Sequence, residues 1–233
     1  MDWPANSTAG ELLKRKGLVK KRRRRRPVPA DNQSWGADFK GDFKLGNKQR
    51  CYPLTITDNC SRYLLARRGL NRTRYEDTRL WFEYTLREFG LPQSIRTDNG
   101  SPFASRSLGG LSRLSKWWID LGVRVERIRP GRPQENGRHE RMHRSLKAAA
   151  CKESAYGMER QQERFDKFRH EYNELRSHES LNRRTSERLY EPSQRRYPEL
   201  ILPPQYDCDM TVRTFATMGK LYGKINGFMS VNF

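Results

Sequence analysis

The sequence of 233 residues predicts a mixed α/β domain followed by a small C-terminal β module. Short apolar segments at 35–43, 50–57 and 61–68 are separated by turn residues, which indicates three strands joined as hairpins. Helical and strand patterns then alternate as far as about residue 175, the element order of an α/β protein. Beyond Pro192 the segments become short and punctuated by proline.

The elements after the hairpins follow from periodicity and from turn residues. Thr73 and Glu76 have the spacing of a capping box, which predicts a helix over about 74–89. The later elements are predicted in this order: a strand at 94–97, a helix marked by Leu111, Leu114, Trp118 and Leu121, a strand at 123–128, a helix at about 136–154, a helix carrying Phe165, Phe168, Tyr172 and Leu175, and strand candidates at 210–215, 220–222 and 228–231.

The net charge of +20 indicates a polyanionic partner, with nucleic acid as the leading candidate. Residues 1–30 contribute +8, so the rest of the chain still carries +12. One short helix at about 9–19 precedes seven consecutive basic residues, and this run is interpreted as an extended arm that binds DNA phosphates. A nuclear localisation signal is the alternative. The run consists of Lys20, Lys21, Arg22, Arg23, Arg24, Arg25 and Arg26.

Cysteine spacing and hydropathy exclude several classes of protein. The four cysteines lie far apart, so neither a disulfide framework nor a zinc site is indicated. No apolar run approaches the roughly 20 residues needed to span a bilayer, and no signal-peptide core follows Met1. We therefore expect a cytoplasmic, chromosome-associated protein without a membrane partner.

Three acids stand in positions that suit a metal site. Asp38 lies inside the first strand between apolar residues, and Asp98 follows the strand 94–97 in the turn sequence Asp-Asn-Gly. Glu140 lies on a predicted helix, with Arg144 and Lys147 at i+4 and i+7 on the same face. Each has a plainer alternative: a buried ion pair for Asp38, an Asx turn for Asp98, and a solvated Glu-Arg pair for Glu140.

The region from Trp35 to Tyr190 resembles the catalytic core of DDE integrases and insertion-sequence transposases. The family motifs W-x-x-D, T-D-N-G and P-Q-x-N-G-x-x-E match in order at 35–38, 97–100 and 133–140, and two further matches stand at 57–62 and 172–178. The resemblance implies a ribonuclease H-like fold with a five-stranded mixed sheet flanked by helices. It also implies DNA cleavage and strand transfer, and therefore DNA integration or transposition.

The resemblance assigns roles to individual residues. Asp38, Asp98 and Glu140 would be the catalytic acids and would hold two Mg²⁺ ions, with Mn²⁺ as a substitute and Asp38 contacting both ions. Glu135 is the rival third acid. Contacts to DNA are expected from Asn136, Gly137, Arg144 and Lys147, in addition to the basic run. Partners would be transposon ends, target DNA and further copies of the chain.

Two other sets of side chains are interpreted as structural. His139 and His143 stand at i and i+4 of one predicted helix, but they lack companion ligands and are interpreted as surface or packing histidines. Four aromatic residues have helical spacing and are assigned to core or subunit packing, not to base stacking. They are Trp81, Phe82, Trp117 and Trp118.

The predicted domains are 1–30, a remnant helix with a basic linker; 31–191, an integrase catalytic core; and 192–233, a linker with part of a small β-barrel. Both ends look shorter than in related transposases. A catalytically idle, DNA-binding remnant is therefore the alternative function. A ribonuclease H-type nuclease would share the acids, but not the motifs at 97–100 and 133–140.

Overall fold

The computed structural model describes residues 34–105, 110–129 and 137–201, together with the backbone of two later strands. The strands of the main domain are β1 (Ser34–Phe39), β2 (Phe43–Lys44), β3 (Arg50–Asp58), β4 (Leu64–Leu70), β5 (Ser94–Thr97) and β6 (Arg124–Arg127). Its helices are α1 (Tyr75–Phe89), α2 (Arg113–Asp120), α3 (Gly137–Leu146) and α4 (Met158–His170). A π-helical turn follows α3 at Lys147–Cys151 and another follows α4 at Glu171–Leu175.

The sheet is mixed, as predicted. Its main strands run in the order β4–β3–β1–β5–β6. The first three pair antiparallel, whereas β5 is parallel to both β1 and β6. The predicted number of five strands omits β2, a two-residue strand beside the start of β3. The five main strands are those of the predicted mixed sheet, and β2 adds a sixth that is too short to show alternation in the sequence.

Helices cover both faces of the sheet and form two hydrophobic cores. The larger core packs α1 and α2 against one face and contains Trp35 and Trp118. The smaller core packs α3 and α4 against the other and contains Phe165. Because successive side chains of a strand point to opposite faces, the neighbours Leu64 and Leu65 belong to different cores.

The aromatic residues of α1 and α2 have the packing role that their spacing predicted. Phe82 and Trp118 are fully buried, with ring centroids 4.8 Å apart. Trp117 is buried, and Trp81 packs half-buried against the same core. These aromatic rings stabilise the domain, and we exclude them from the candidate site.

The start of α1 differs from the prediction. The helix begins at Tyr75, its N-cap is Arg74, and no side chain caps it, so the proposed box of Thr73 and Glu76 is wrong. A capping box requires both residues in register with the first turn, and this helix starts one residue too late. A capping box does occur at α2, where Ser112 and Ser115 bond to each other's backbone amides.

The remaining described strands form a separate ladder. β7 (Met210–Phe215) and β8 (Gly219–Lys224) pair antiparallel. The third strand candidate, 228–231, and the basic N-terminal tail, 1–30, lie outside the described residues. Within the described ranges, no helix is both long enough and apolar enough to cross a bilayer. The predicted domain limits stay a prediction.

Arg67 of β4 is a buried cation in the smaller core. It is 3% exposed, and its guanidinium carbon lies 3.3 Å from the ring centroid of Phe165. Among the described residues, none accepts a hydrogen bond from its guanidinium nitrogens. Burial lowers the pKa of Arg67 to about 9. The charge is thus compensated mainly by an aromatic face, which is a poor replacement for water.

We expect an Arg67→Met substitution to stabilise the domain. Methionine keeps the apolar contact with Phe165 and removes the cost of a buried charge, so the free energy of unfolding should rise by about 1–4 kcal/mol. Urea denaturation followed by tryptophan fluorescence measures this. Arg68→Met is the matched control, because Arg68 is half-buried with its guanidinium 3.8 Å from the centre of the Trp81 ring and should lose about 0.5–1 kcal/mol. A destabilised Arg67→Met variant would show that the guanidinium is well compensated.

Candidate active site

Asp38 and Asp98 lie side by side at one edge of the sheet. The parallel register of β1 and β5 ends with the pair Ala37 and Thr97, and each acid is the next residue along its strand. Carboxyl ends of parallel strands are where α/β sheets present ligand-binding groups. Tertiary structure therefore brings together two acids that stand 60 residues apart in the chain.

Asp98 initiates an Asx turn. Its Oδ1 accepts a hydrogen bond of 3.1 Å from the amide of Gly100, and a Cβ atom on Gly100 would lie 3.0 Å from Asp98 Oδ2. The next residue, Asn99, donates its side-chain amide to the carbonyl of Ile128 at 3.0 Å, which joins this turn to the end of β6. An Asx turn engages one carboxylate oxygen, so the turn is compatible with a metal-binding role for Asp98.

The helix α3 packs two histidines over the strand that carries Asp38. Thr55 is opposite Asp38 in the β1–β3 register. Its hydroxyl lies 2.7 Å from Nε2 of His139 and 2.8 Å from Nε2 of His143. Nδ1 of His143 lies 4.0 Å from Oδ2 of Asp38. Ligand atoms of Asp38, His139 and His143 all lie within 4.8 Å of one another.

Both histidines are uncharged at neutral pH. His139 is 4% exposed and His143 is 8% exposed. Burial lowers the pKa of His139 to about 3. Burial is also the main cause that lowers the pKa of His143 to about 2, and His139 and the cations Lys40 and Arg67 act in the same direction. The neutral imidazoles can each accept one hydrogen bond or bind a metal through one nitrogen.

The sequence did not reveal that His139 and His143 lie close to a possible metal ligand. Their packing role is confirmed, but the reason for excluding a metal, the lack of a companion ligand, does not hold in three dimensions because Asp38 faces His143. The i, i+4 spacing on the apolar side of α3, shared with Met142 and Leu146, was the available signal. It shows that both rings face the sheet.

Glu140 is exposed on α3 and lies at the flank of its sheet-facing side. At about 100° per residue it stands roughly 60° from His143 around the helix axis. Among the described residues, Asp38 and the two histidines form a group of three possible metal ligands within 4.8 Å of one another, and neither Glu140 nor Asp98 is a member of such a group of three or more. Arg144 and Lys147 are likewise exposed, although Lys147 already belongs to the π-helical turn.

Asn136, Glu135 and the run 20–26 lie outside the described residues. Gly137 is the first residue of α3, and a Cβ atom there would meet no heavy atom within 4 Å. The next residue, Arg138, donates a hydrogen bond of 2.8 Å to the carbonyl of Asn59, which ties the start of α3 to the β3–β4 turn.

Family models match most of the described domain. Two family models, both described as integrase core domain, match residues 28–133 and 121–185. The chain carries a DDE integrase/transposase core. The matched ranges contain all three acids of the predicted site.

Curated relatives of this integrase core include proteins of bacterial insertion elements. An uncharacterized 31.7 kDa protein of insertion element IS407 from Burkholderia multivorans is 27% identical over 176 residues, which is 72% of this chain and 59% of that protein. An uncharacterized 39.2 kDa protein of IS476 from Xanthomonas euvesicatoria is 26% identical over 180 residues, or 70% of this chain and 48% of that protein. The chain thus spans about half the length of these relatives.

Solved structures share the fold of the integrase core. The integrase catalytic core domain of HTLV-2 in complex with magnesium has a TM-score of 0.55 and 16% identity, covering 71% of this chain and 100% of that one. A chain of the simian T-cell lymphotropic virus intasome, in complex with a PP2A regulatory subunit, has a TM-score of 0.58 and 17% identity. The match covers 84% of this chain and 77% of that one. The predicted ribonuclease H-like fold is confirmed.

Proposed function

We propose that this chain is a metal-dependent polynucleotidyl transferase that cleaves DNA and transfers the cut strand to target DNA, with Asp38, Asp98 and Glu140 as its catalytic acids. The observation that carries the proposal is the position of Asp38 and Asp98, each one residue beyond the last registered pair of two parallel strands, at the carboxyl ends of that pairing. It is supported by the integrase core match and by the magnesium named for the HTLV-2 core.

The residues present fit a pair of divalent cations. Asp38 and Asp98 offer the carboxylate oxygens that Mg²⁺ and Mn²⁺ bind, and Glu140 would offer a third carboxylate from the flank of α3. When bound, the cations would supply the charge that activates an attacking hydroxyl and stabilises the leaving oxygen. Attack by water gives cleavage, and attack by a DNA 3′-hydroxyl gives strand transfer.

A second candidate is DNA binding without cleavage. It is favoured by the position of Glu140, which is exposed and does not belong to the Asp38 cluster. Nicking of supercoiled plasmid by the purified chain distinguishes the two functions. Nicking that stops with a chelator and returns with Mg²⁺ supports the transferase, whereas DNA that is bound but uncut supports the binding protein.

The proposed DNA surface is the exposed side of α3 next to Glu140. Arg144 and Lys147 follow Glu140 on this side, and neither is buried. The basic run 20–26, Asn136 and Gly137 are proposed as further contacts. We also propose that copies of the chain assemble on DNA at the chromosome, because the similar viral structures include dimeric and trimeric cores and an intasome.

Replacing Arg144 and Lys147 together by alanine should weaken DNA binding by about tenfold or more at 0.1 M salt, because two phosphate contacts are lost. The slope of the logarithm of the DNA association constant against the logarithm of the salt concentration should become shallower by about 2. Fluorescence anisotropy with a labelled duplex measures both quantities. Lys152→Ala with Lys167→Ala is the control, since it removes the same charge from exposed positions. An equal loss in the control would mean that only net charge matters.

A further inference from the structure

The hydroxyl of Thr55 has an unusually full set of partners. It donates a hydrogen bond of 2.9 Å to the backbone carbonyl of Asp38. It also lies within hydrogen-bond distance of Nε2 of both His139 and His143. A threonine hydroxyl has one proton, and that proton is used by the carbonyl. Both imidazole Nε2 atoms must therefore donate their protons to the hydroxyl oxygen.

This assignment fixes the tautomer of His143. With the proton on Nε2, the neutral ring carries its lone pair on Nδ1. That atom faces Oδ2 of Asp38 at 4.0 Å. A direct hydrogen bond between nitrogen and oxygen would be about 2.7–3.2 Å long, so the two atoms are too far apart to share a proton.

The separation suits a cation between the two atoms. Bonds from a first-row metal to nitrogen or to a carboxylate oxygen are each about 2.0–2.2 Å long. Two ligand atoms on opposite sides of one six-coordinate ion therefore lie about 4.0–4.4 Å apart, which is close to the observed gap of 4.0 Å. A carboxylate oxygen and the lone pair of a neutral imidazole nitrogen are both ligands for first-row divalent cations. The hydrogen bond to Thr55 holds the ring as a second-shell partner does in known metal sites.

We propose that Asp38 and His143 form a mixed oxygen–nitrogen metal site, which binds Mn²⁺ or Co²⁺ more tightly than Mg²⁺. His139 is a positioning residue that shares the Thr55 hydroxyl with His143. Imidazole nitrogen suits first-row transition metals, whereas Mg²⁺ prefers oxygen alone. The inference deepens the proposed function, because Asp38 is also one of its catalytic acids.

The test is a titration of the full, untagged chain with Co²⁺, followed by visible absorption and calorimetry. His143→Asn should weaken Co²⁺ binding by about tenfold to a hundredfold and should weaken Mg²⁺ binding less. His170→Asn is the control, since His170 is exposed on α4 and pairs with Glu174 at 2.7 Å. Unchanged Co²⁺ affinity in folded His143→Asn would overturn the proposal.

A spectroscopic measurement on the wild-type chain keeps the proposal testable if His143→Asn does not fold. Bound Mn²⁺ should show the magnetic coupling of a ¹⁴N nucleus, and this coupling should persist in His170→Asn. Its absence would overturn the proposal. Plasmid nicking with Mg²⁺ separates the two hypotheses. Nitrogen-ligated Co²⁺ without nicking rejects only the transferase, and nicking without a nitrogen ligand rejects only the mixed site.

Discussion

Glu140→Gln is expected to lower the rate of Mg²⁺-dependent plasmid nicking by roughly a hundredfold or more. Glutamine keeps the size of the side chain but removes the charge that a divalent cation requires, and a bound metal contributes several kcal/mol to the transition state. Each 1.4 kcal/mol corresponds to about tenfold in rate. The conversion of supercoiled to open-circular plasmid, measured at fixed Mg²⁺, gives this ratio directly.

The exposed position of Glu140 makes this variant a sharp test. Substitutions at exposed positions change stability by only about 0.5 kcal/mol, so circular dichroism and the melting temperature should match the wild type. Glu163→Gln is the matched control, because Glu163 is also an exposed helical glutamate and lies on α4. Nicking that survives in Glu140→Gln but disappears in Asp98→Asn would assign the third acid to another residue, with Glu135 as the first candidate.

Gly90→Ala is expected to destabilise the domain by about 3 kcal/mol or more. Gly90 ends α1 with φ of 80° and ψ of 179°, a conformation that is essentially restricted to glycine. A Cβ atom there would lie 2.7 Å from the carbonyl oxygen of Ser193 and 2.8 Å from that of Arg195. Both oxygens belong to the backbone, so relief requires the whole segment to move.

The same clash would break the hydrogen bonds that hold the segment after residue 191 against the core. The amide of Ser193 donates to Phe89 at 3.0 Å, and the amide of Leu91 donates to Arg195 at 2.6 Å. We expect the melting temperature to fall by roughly 6–12 °C in calorimetry. Gly41→Ala is the control: φ is 87° there but no heavy atom lies within 4 Å, so only about 1 kcal/mol should be lost. Equal losses would show that backbone strain alone acts at Gly90.

The sequence pattern and the order of the motifs predicted most of the helices and strands of this protein and its family. Alternating apolar residues predicted the hairpins, the helical periods predicted α1 to α4, and the ordered acidic motifs predicted an integrase core. These features depend on neighbouring residues, because side-chain period and turn chemistry are local properties. The same reasoning failed for the cap of α1, where a shift of one residue decides the result.

Only the tertiary structure decided how the site is assembled. Thr55 meets His139 and His143 across 84 and 88 residues of sequence, and the burial of Arg67 likewise depends on how α4 packs on β4. No local pattern encodes such a distance, because it is set by how one helix packs on the sheet. The sequence alone indicated the family and supplied the three acids as a prediction, whereas the packing of α3 placed His143 opposite Asp38 and left Glu140 at the exposed flank.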